Sequence, residues 1–200
     1  MKRLEISLLI ALVFGIVLSI TSLNVECDNI RESVLRLHVL ANSDDEADQN
    51  LKLKVRDRLL EVSNEIYSNA KTREDAIEST ESNLALLQSE AQKVVIANGY
   101  NYPVSVELED TYFTTRTYDN ITLPAGEYKA LRVIIGEGAG HNWWCVMFPP
   151  LCISAASDNE AQLDDVLTDE QMEFVQGTQY EARFKCVEWY EEIKQYFDFK

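Results

Sequence analysis

The pattern of apolar and polar positions begins with one long apolar segment. Lys2 and Arg3 come first, and residues 6–25 carry no charge and are mostly Ile, Leu, Val, Ala and Phe. A helix of this length spans about 30 Å, which is enough to cross the hydrocarbon core of a membrane. Because the positive residues precede the segment, the domain after it should lie outside the cytoplasm. A cleaved signal peptide and an uncleaved anchor both fit, and residues 19–21 are the nearest match to a cleavage site.

A strand and two helices are predicted next. Residues 34–40 alternate with a period of two, which is typical of a strand. Apolar residues at spacings of three and four predict helices over 51–66 and 77–94. Ser43 and Thr72 each stand three residues before an acid, the spacing of a capping box at a helix start. The two helices should therefore form an antiparallel hairpin.

After Gly99, where glycine favours a helix end, the pattern changes to strands. Four segments are rich in Val, Tyr, Thr, Ile or Trp: 102–108, 112–118, 127–135 and 143–148. Residues 136–140 contain three glycines and predict a hinge or turn. A short helix, a last strand and a closing helix are predicted over 168–176, 180–186 and 187–197. The order predicts an α+β fold, with the helical hairpin and the C-terminal helix packed on a mostly antiparallel sheet, after one N-terminal hydrophobic segment.

The composition agrees with one globular domain. The chain has 200 residues, of which 46% are hydrophobic and 26% are charged. Its formal net charge of -16 repels phosphate backbones, so we expect no nucleic-acid partner. We divide the chain into residues 1–27, a signal peptide or signal anchor that contacts the membrane, and residues 28–200, an extracytoplasmic globular domain.

The cysteines predict one local bridge. The sequence has four of them: Cys27, Cys145, Cys152 and Cys186. In an exported protein the close pair Cys145 and Cys152 is a reasonable disulfide, and two free thiols are the alternative. A bridge would restrict the unfolded chain by about 2.5 kcal/mol. The Phe148-Pro149 bond within this loop is a candidate cis peptide.

Two segments are specific enough to suggest a family. One begins at Arg36 and reads RLHVLANSDDEADQNLKLKVRD; the other, from Gly140 to Cys152, reads GHNWWCVMFPPLC. Together with the tail VEWYEEIKQYF they resemble the stage II sporulation protein R family of endospore-forming bacteria.

The resemblance implies a signalling protein and not an enzyme. Members of the family are made in the forespore and exported across its membrane. There they activate a membrane-bound aspartic protease of the mother cell, which cleaves the pro-form of sigma-E. For this chain the resemblance implies a location between the forespore and mother-cell membranes, secreted or membrane-anchored, with that protease as partner. We expect no cofactor.

Aromatic residues on or beside the loop between Cys145 and Cys152 are candidate partner contacts, since tryptophan is enriched at interface hot spots. In a strand, Trp143 and Trp144 must face opposite sides. We expect one in the core and one at the surface, with both buried as the alternative. The full candidate set for partner binding is Trp143, Trp144, Phe148, His141, Asn142 and His38.

The two histidines leave two further alternatives. His141, Asn142 and Cys145 would suit an exported cysteine hydrolase acting on the cell wall, although a bridged Cys145 could not be a nucleophile. His38 and His141 with an acid such as Asp44 or Asp45 could bind a metal. Our interpretation is that both histidines bond to the backbone near the end of the sheet, so that the chain has no catalytic residue and no metal ligand.

Overall fold

The structure is a computed structural model that describes residues 2–118, 121–149, 167–168, 171–172, 175, 185 and 187–191. The helices and strands run in the order α1 (Lys2–Arg31), β1 (Leu35–Leu40), α2 (Glu46–Ile66), α3 (Arg73–Ser82), α4 (Leu84–Ala97), β2 (Val104–Phe113), β3 (Arg116–Tyr118), β4 (Ile121–Leu123), β5 (Gly126–Ile135) and β6 (Asn142–Phe148). Residues 187–191 are helical as well.

The main sheet has four strands in the order β2-β5-β1-β6. β1 and β5 are parallel, whereas β2 with β5 and β1 with β6 are antiparallel. β3 and β4 form a separate antiparallel hairpin. The prediction of an α+β fold with a mostly antiparallel sheet is confirmed.

Both faces of this sheet are covered. Leu35, Leu37 and Val39 of β1 point to the helix face, where they are fully buried against α2, α3 and α4. Arg36 and His38 alternate with them and point to the opposite face. The covering residues of that face come from the end of α1, from the β3–β4 hairpin and from the C-terminal part of the chain: Cys27, Ile30, Ile121, Leu123, Leu167, Met172, Val175 and Val187. The C-terminal helix therefore packs on the face that the helical hairpin leaves open.

The second predicted helix is broken in two at Asn83. The Thr80 hydroxyl donates to the Ala76 carbonyl at 2.7 Å, and the Asn83 amide donates to the Ser79 carbonyl at 2.8 Å. Such side-chain bonds compete with the helical ladder and bend or end a helix. The sequence pattern did not predict this break, because one apolar stripe continues through both helices.

The two predicted capping boxes have different outcomes. At Thr72 the box is present, with reciprocal bonds to Asp75. At Ser43 the prediction is wrong, because α2 begins at Glu46 and its N-cap residue makes no side-chain bond. The Ser43 hydroxyl instead donates to the carboxylate of Asp48 at 2.7 Å.

The strands also differ from the pattern at two places. β2 continues to Phe113, so the predicted strand 112–118 is divided between β2 and β3. The short strand β4 lies between two predicted strands and was not predicted itself. Lys185 is helical, although it was placed in a last strand. The rest of that strand and residues 192–197 of the closing helix lie outside the described residues.

The N-terminal segment is helical and belongs to α1, which runs from Lys2 to Arg31. In the part of the chain that the structure describes, no helix is long and apolar enough to cross a membrane. The predicted boundary between residues 27 and 28 falls inside α1, whose last turns belong to the core: Cys27 is a free, buried thiol and Ile30 is fully buried.

Candidate docking site at the start of strand β6

Strand β6 lies at one end of the sheet order, and within the described residues it pairs with β1 alone. Trp143 is opposite Val39 and Trp144 is opposite His38, so the two tryptophans face opposite sides as predicted. Neither is a core residue or fully exposed, because both side chains are half-buried. The expected division into one core and one surface tryptophan is wrong.

Trp144 lies on the opposite face inside an aromatic group. Its ring centroid is 4.6 Å from that of His38 and 4.7 Å from that of Phe113, which meets it edge-on. The guanidinium carbon of Arg116 is 5.3 Å from its ring centroid. The Tyr118 hydroxyl donates to the Trp144 carbonyl at 3.1 Å. The β3–β4 hairpin is therefore attached to the start of β6 by one cation–π contact and one hydrogen bond.

Arg36 lies beneath this group and is fully buried. Its guanidinium carbon is 4.1 Å from the ring centroid of Phe113 and 4.8 Å from that of Tyr128. Nε donates to the Cys145 carbonyl at 3.0 Å and Nη2 donates to the Tyr118 hydroxyl at 2.7 Å. Nη1 has no hydrogen-bond partner. Burial lowers the pKa of Arg36, against the favourable effect of the nearby tyrosines.

Trp143 lies on the helix face and packs against the core there. The guanidinium carbon of Arg56 on α2 is 4.3 Å from its ring centroid. Arg56 in turn pairs with Asp57, and only 18% of its side chain is exposed. The cation beside Trp143 is therefore mostly buried and already has a carboxylate partner.

His38 is 6% exposed and bonds to a side chain, not to the backbone as we had interpreted it. Its Nε2 lies 3.0 Å from Oδ1 of Asn142. Because an amide oxygen can only accept, Nε2 carries the proton. Nδ1 is buried and has no partner. Burial lowers the pKa of His38, because a buried ring is more costly to charge.

His141 also bonds to a side chain. Its ring Nδ1 contacts the carboxylate of Asp44, which also accepts the His141 backbone N–H at 2.6 Å. The His141 carbonyl accepts from the Lys52 ammonium group at 2.8 Å. These bonds fix the position of the exposed His141 ring at the end of a loop. His38 and His141 therefore have different hydrogen-bond partners.

The loops at 41–45 and 136–141 bind each other, and we call them the two-loop clamp. The Ala41 carbonyl accepts from the Gly140 N–H at 3.0 Å, and the Asn42 side-chain oxygen accepts from the Glu137 N–H at 3.1 Å. Gly136 has a φ of 61° and turns the chain tightly against Asn42. The glycine-rich segment is thus a turn, and the two sequence segments that carry the family resemblance meet here.

The hydrolase and metal groupings are not assembled in the described residues. Asn142 bonds to His38, whereas His141 bonds to Asp44. Cys145 is 2% exposed and disulfide-bonded, so it offers no free thiol. No group of three or more His, Cys, Asp or Glu residues within the described part could hold a metal ion.

The remaining predicted residues lie beyond β6 or in the core. Cys152 lies outside the described residues, so its pairing with Cys145 stays a prediction. Phe148 is 6% exposed and packs edge-on against Tyr67, with 5.9 Å between ring centroids. It supports the helix-face core and offers little surface to a partner. The Phe148-Pro149 peptide bond is cis, as predicted.

Sequence reasoning missed Arg36, Arg116 and Tyr118, which complete the site. Arg36 did leave a signal, because it is a charge inside a strand whose other positions are almost all apolar. Arg116 and Tyr118 left none, since nothing local links residue 118 to a strand 26 positions later.

A comparison with protein families supports the resemblance that was noted in the sequence. The family model described as "Stage II sporulation protein R" matches residues 31–158. The chain belongs to the stage II sporulation protein R family. The stage II sporulation protein R of Bacillus subtilis (strain 168) is 33% identical over 187 residues, covering 82% of this chain and 83% of that protein. No solved structure matches the chain. Membership in the stage II sporulation protein R family gives the chain a role in sporulation.

Proposed function

We propose that this chain is an exported signalling protein, made in the forespore, that activates the membrane-bound aspartic protease processing pro-sigma-E in the mother cell. The observation that carries the proposal is the family match over residues 31–158. The match supports a role in sporulation, and the resemblance noted in the sequence supplies the partner and the direction of the signal.

The site at the start of β6 suits action by contact. A half-buried Trp144 beside an exposed Arg116 is the pairing of residue types that is enriched at interface hot spots. The groups that a cysteine hydrolase would need are engaged with other partners: Asn142 with His38, and Cys145 in a disulfide. This distribution favours a ligand over an enzyme.

Export is proposed from the N-terminal segment. Lys2 and Arg3 before the apolar residues favour an N-terminus inside and a domain outside the forespore cytoplasm. The structure sets a limit on how this can be tested, since Leu23, Cys27 and Ile30 of α1 pack into the domain. A variant without the export signal must keep these residues in order to fold.

The test is co-expression of the chain, the protease and pro-sigma-E in a non-sporulating bacterium, with an immunoblot for processed sigma-E. The full chain should produce processing. A variant that lacks residues 4–21 should stay inside and produce none, and an unrelated cleavable secretory signal fused before residue 22 should restore it. Absence of processing with the full chain would contradict the proposed function. Equal processing by the variant without the signal would contradict action from outside.

A further inference from the structure

Most described arginine side chains have a carboxylate partner, as expected for a chain with a net charge of -16. Those that form salt bridges are Arg31, Arg56, Arg58, Arg73 and Arg132. Arg36 and Arg116 form none with any described residue. Lys52, Lys54 and Lys71 likewise form no salt bridge with a described residue, so what sets Arg116 apart is its position over the ring of Trp144.

These two arginines lie at the same place. Arg116 is exposed over the ring of Trp144, and Arg36 is buried below, bonded to the Tyr118 hydroxyl that also bonds to Trp144. Arg116 is one of the causes that lower the pKa of Arg36, after its burial. The repulsion between the two like charges would be relieved by an anion at the surface.

We infer that Arg116 and Trp144, with the exposed amide of Asn142 beside them, form the docking surface for an acidic segment of the partner protein. We call this surface the Arg116–Trp144 patch. The inference rests on the proposed function and deepens it, because it assigns the contact to one face of the sheet and gives the partner's chemistry. A carboxylate of the partner pairs with the Arg116 guanidinium, and the indole ring supplies the apolar contact.

Charge explains why such a small surface can select one orientation. An acidic segment is repelled by most of a surface with a net charge of -16 and is attracted to Arg116, which pairs with no carboxylate of the described residues. The same net charge opposes nucleic acids and anionic lipids, which carry many phosphates over a wide area. A short protein segment with a few carboxylates fits the patch better.

The other tryptophan provides the contrast. Arg56 over Trp143 is mostly buried and is paired with Asp57, and Trp143 packs against the helix-face core. A partner at Trp143 would therefore find no unpaired cation. The structure thus distinguishes two adjacent residues that are equivalent in the sequence.

The test uses the full chain in the co-expression host, with two readouts: processed sigma-E and co-purification of the chain with tagged protease from membranes. Arg116→Glu should lower co-purification about tenfold or more, and processing with it. Arg116→Gln should weaken both less, because it removes a charge without reversing it. Lys93→Glu is the matched control, since Lys93 is an exposed residue of α4 and the same reversal of charge should leave both readouts unchanged.

The outcomes separate this inference from the proposed function. If the full chain gives no processing, the proposed function and this inference both fail. If the full chain works and Arg116→Glu and Lys93→Glu have the same effect on both readouts, only the inference fails. This holds whether both variants lower the readouts or both leave them unchanged. Because Arg116 is exposed, circular dichroism should show a folded variant, and Arg116→Gln supplies the comparison if Arg116→Glu does not fold.

A further variant tests whether the occupant belongs to this chain. It replaces the acids of residues 157–165 by the corresponding amides: Asp158, Glu160, Asp164 and Asp165. If the acidic segment belongs to the partner, this variant should bind and signal like the full chain. If it loses co-purification as Arg116→Glu does, the chain's own acidic stretch is the occupant and the inference is overturned.

Discussion

Arg36 is a buried cation that is held by aromatic rings in place of a carboxylate. Moving a charge out of water is costly, and a cation–π contact returns about 2 kcal/mol or more when it is desolvated. The unpaired Nη1 adds a cost of about 1–3 kcal/mol. What the chain gains is a connection, because one side chain of β1 bonds to the backbone of β6 and, through Tyr118, to the β3–β4 hairpin.

His38 makes the stability of the domain depend on pH. Its pKa in the folded state is lowered from the ordinary value of 6.5, first by burial, so the unfolded chain binds a proton more readily. Stability from this residue is fully present above pH 6.5 and is lost as the pH falls below that value. We expect the unfolding free energy, measured by urea denaturation between pH 7.5 and pH 5 (about two and a half units), to fall less in His38→Gln than in the wild type.

The wild type is the reference for this prediction. If His38→Gln and the wild type lose stability in parallel over the same range, His38 is not the group responsible. Titration of carboxylates contributes to both proteins and cancels in the comparison.

The two-loop clamp is the feature at the scale of elements that most depends on one residue. A Cβ at Gly140 would overlap the backbone carbonyl of Ser43, so Gly140→Ala must push the two loops apart. We expect a loss of about 3 kcal/mol in unfolding free energy by urea denaturation. At Gly99, with a φ of 84° and no atom within 4 Å of an added Cβ, alanine should cost only about 1 kcal/mol. Equal losses in the two variants would contradict a tight clamp.

Most elements could be predicted from local pattern. Period-two and period-3.6 positions gave β1, β5, β6 and α2 nearly to their ends, because burial on a sheet or helix face imposes those periods directly. The break at Asn83 was not visible, since a continuous apolar stripe carries no information about side-chain bonds to the helix backbone. β4 is three residues long and depends on pairing with β3.

The candidate site could be predicted only in part. The sequence pointed to Trp144, His38 and Asn142 because they are unusual residue types in specific segments. It could not place Arg116 and Tyr118 beside them, since that contact needs the hairpin to fold over the sheet. It placed Trp143 and Trp144 on opposite faces but could not tell which of them lies beside Arg56 of α2 and which beside Arg116 of β3.

At the scale of the whole molecule, the sheet separates the larger core from the face that carries the proposed partner surface. The helix face carries the larger core, with α2, α3 and α4. The opposite face holds the end of α1, the β3–β4 hairpin and the C-terminal helix, where Arg31 pairs with Glu191 at 3.2 Å. The Arg116–Trp144 patch lies on this face, so the surface proposed for the partner is on the side where the chain leaves the N-terminal segment.

Action by contact, as opposed to catalysis, is tested most directly by processed sigma-E in the co-expression host with His141→Gln. His141 is exposed and, among the described residues, its bonds are to Asp44 and through its own backbone, so the variant should fold, which circular dichroism checks. An amide can replace a hydrogen bond of the imidazole but not its acid–base chemistry. A protein that acts by contact should retain most of its processing in this variant. A folded His141→Gln chain that produces no processed sigma-E would contradict action by contact and favour the hydrolase.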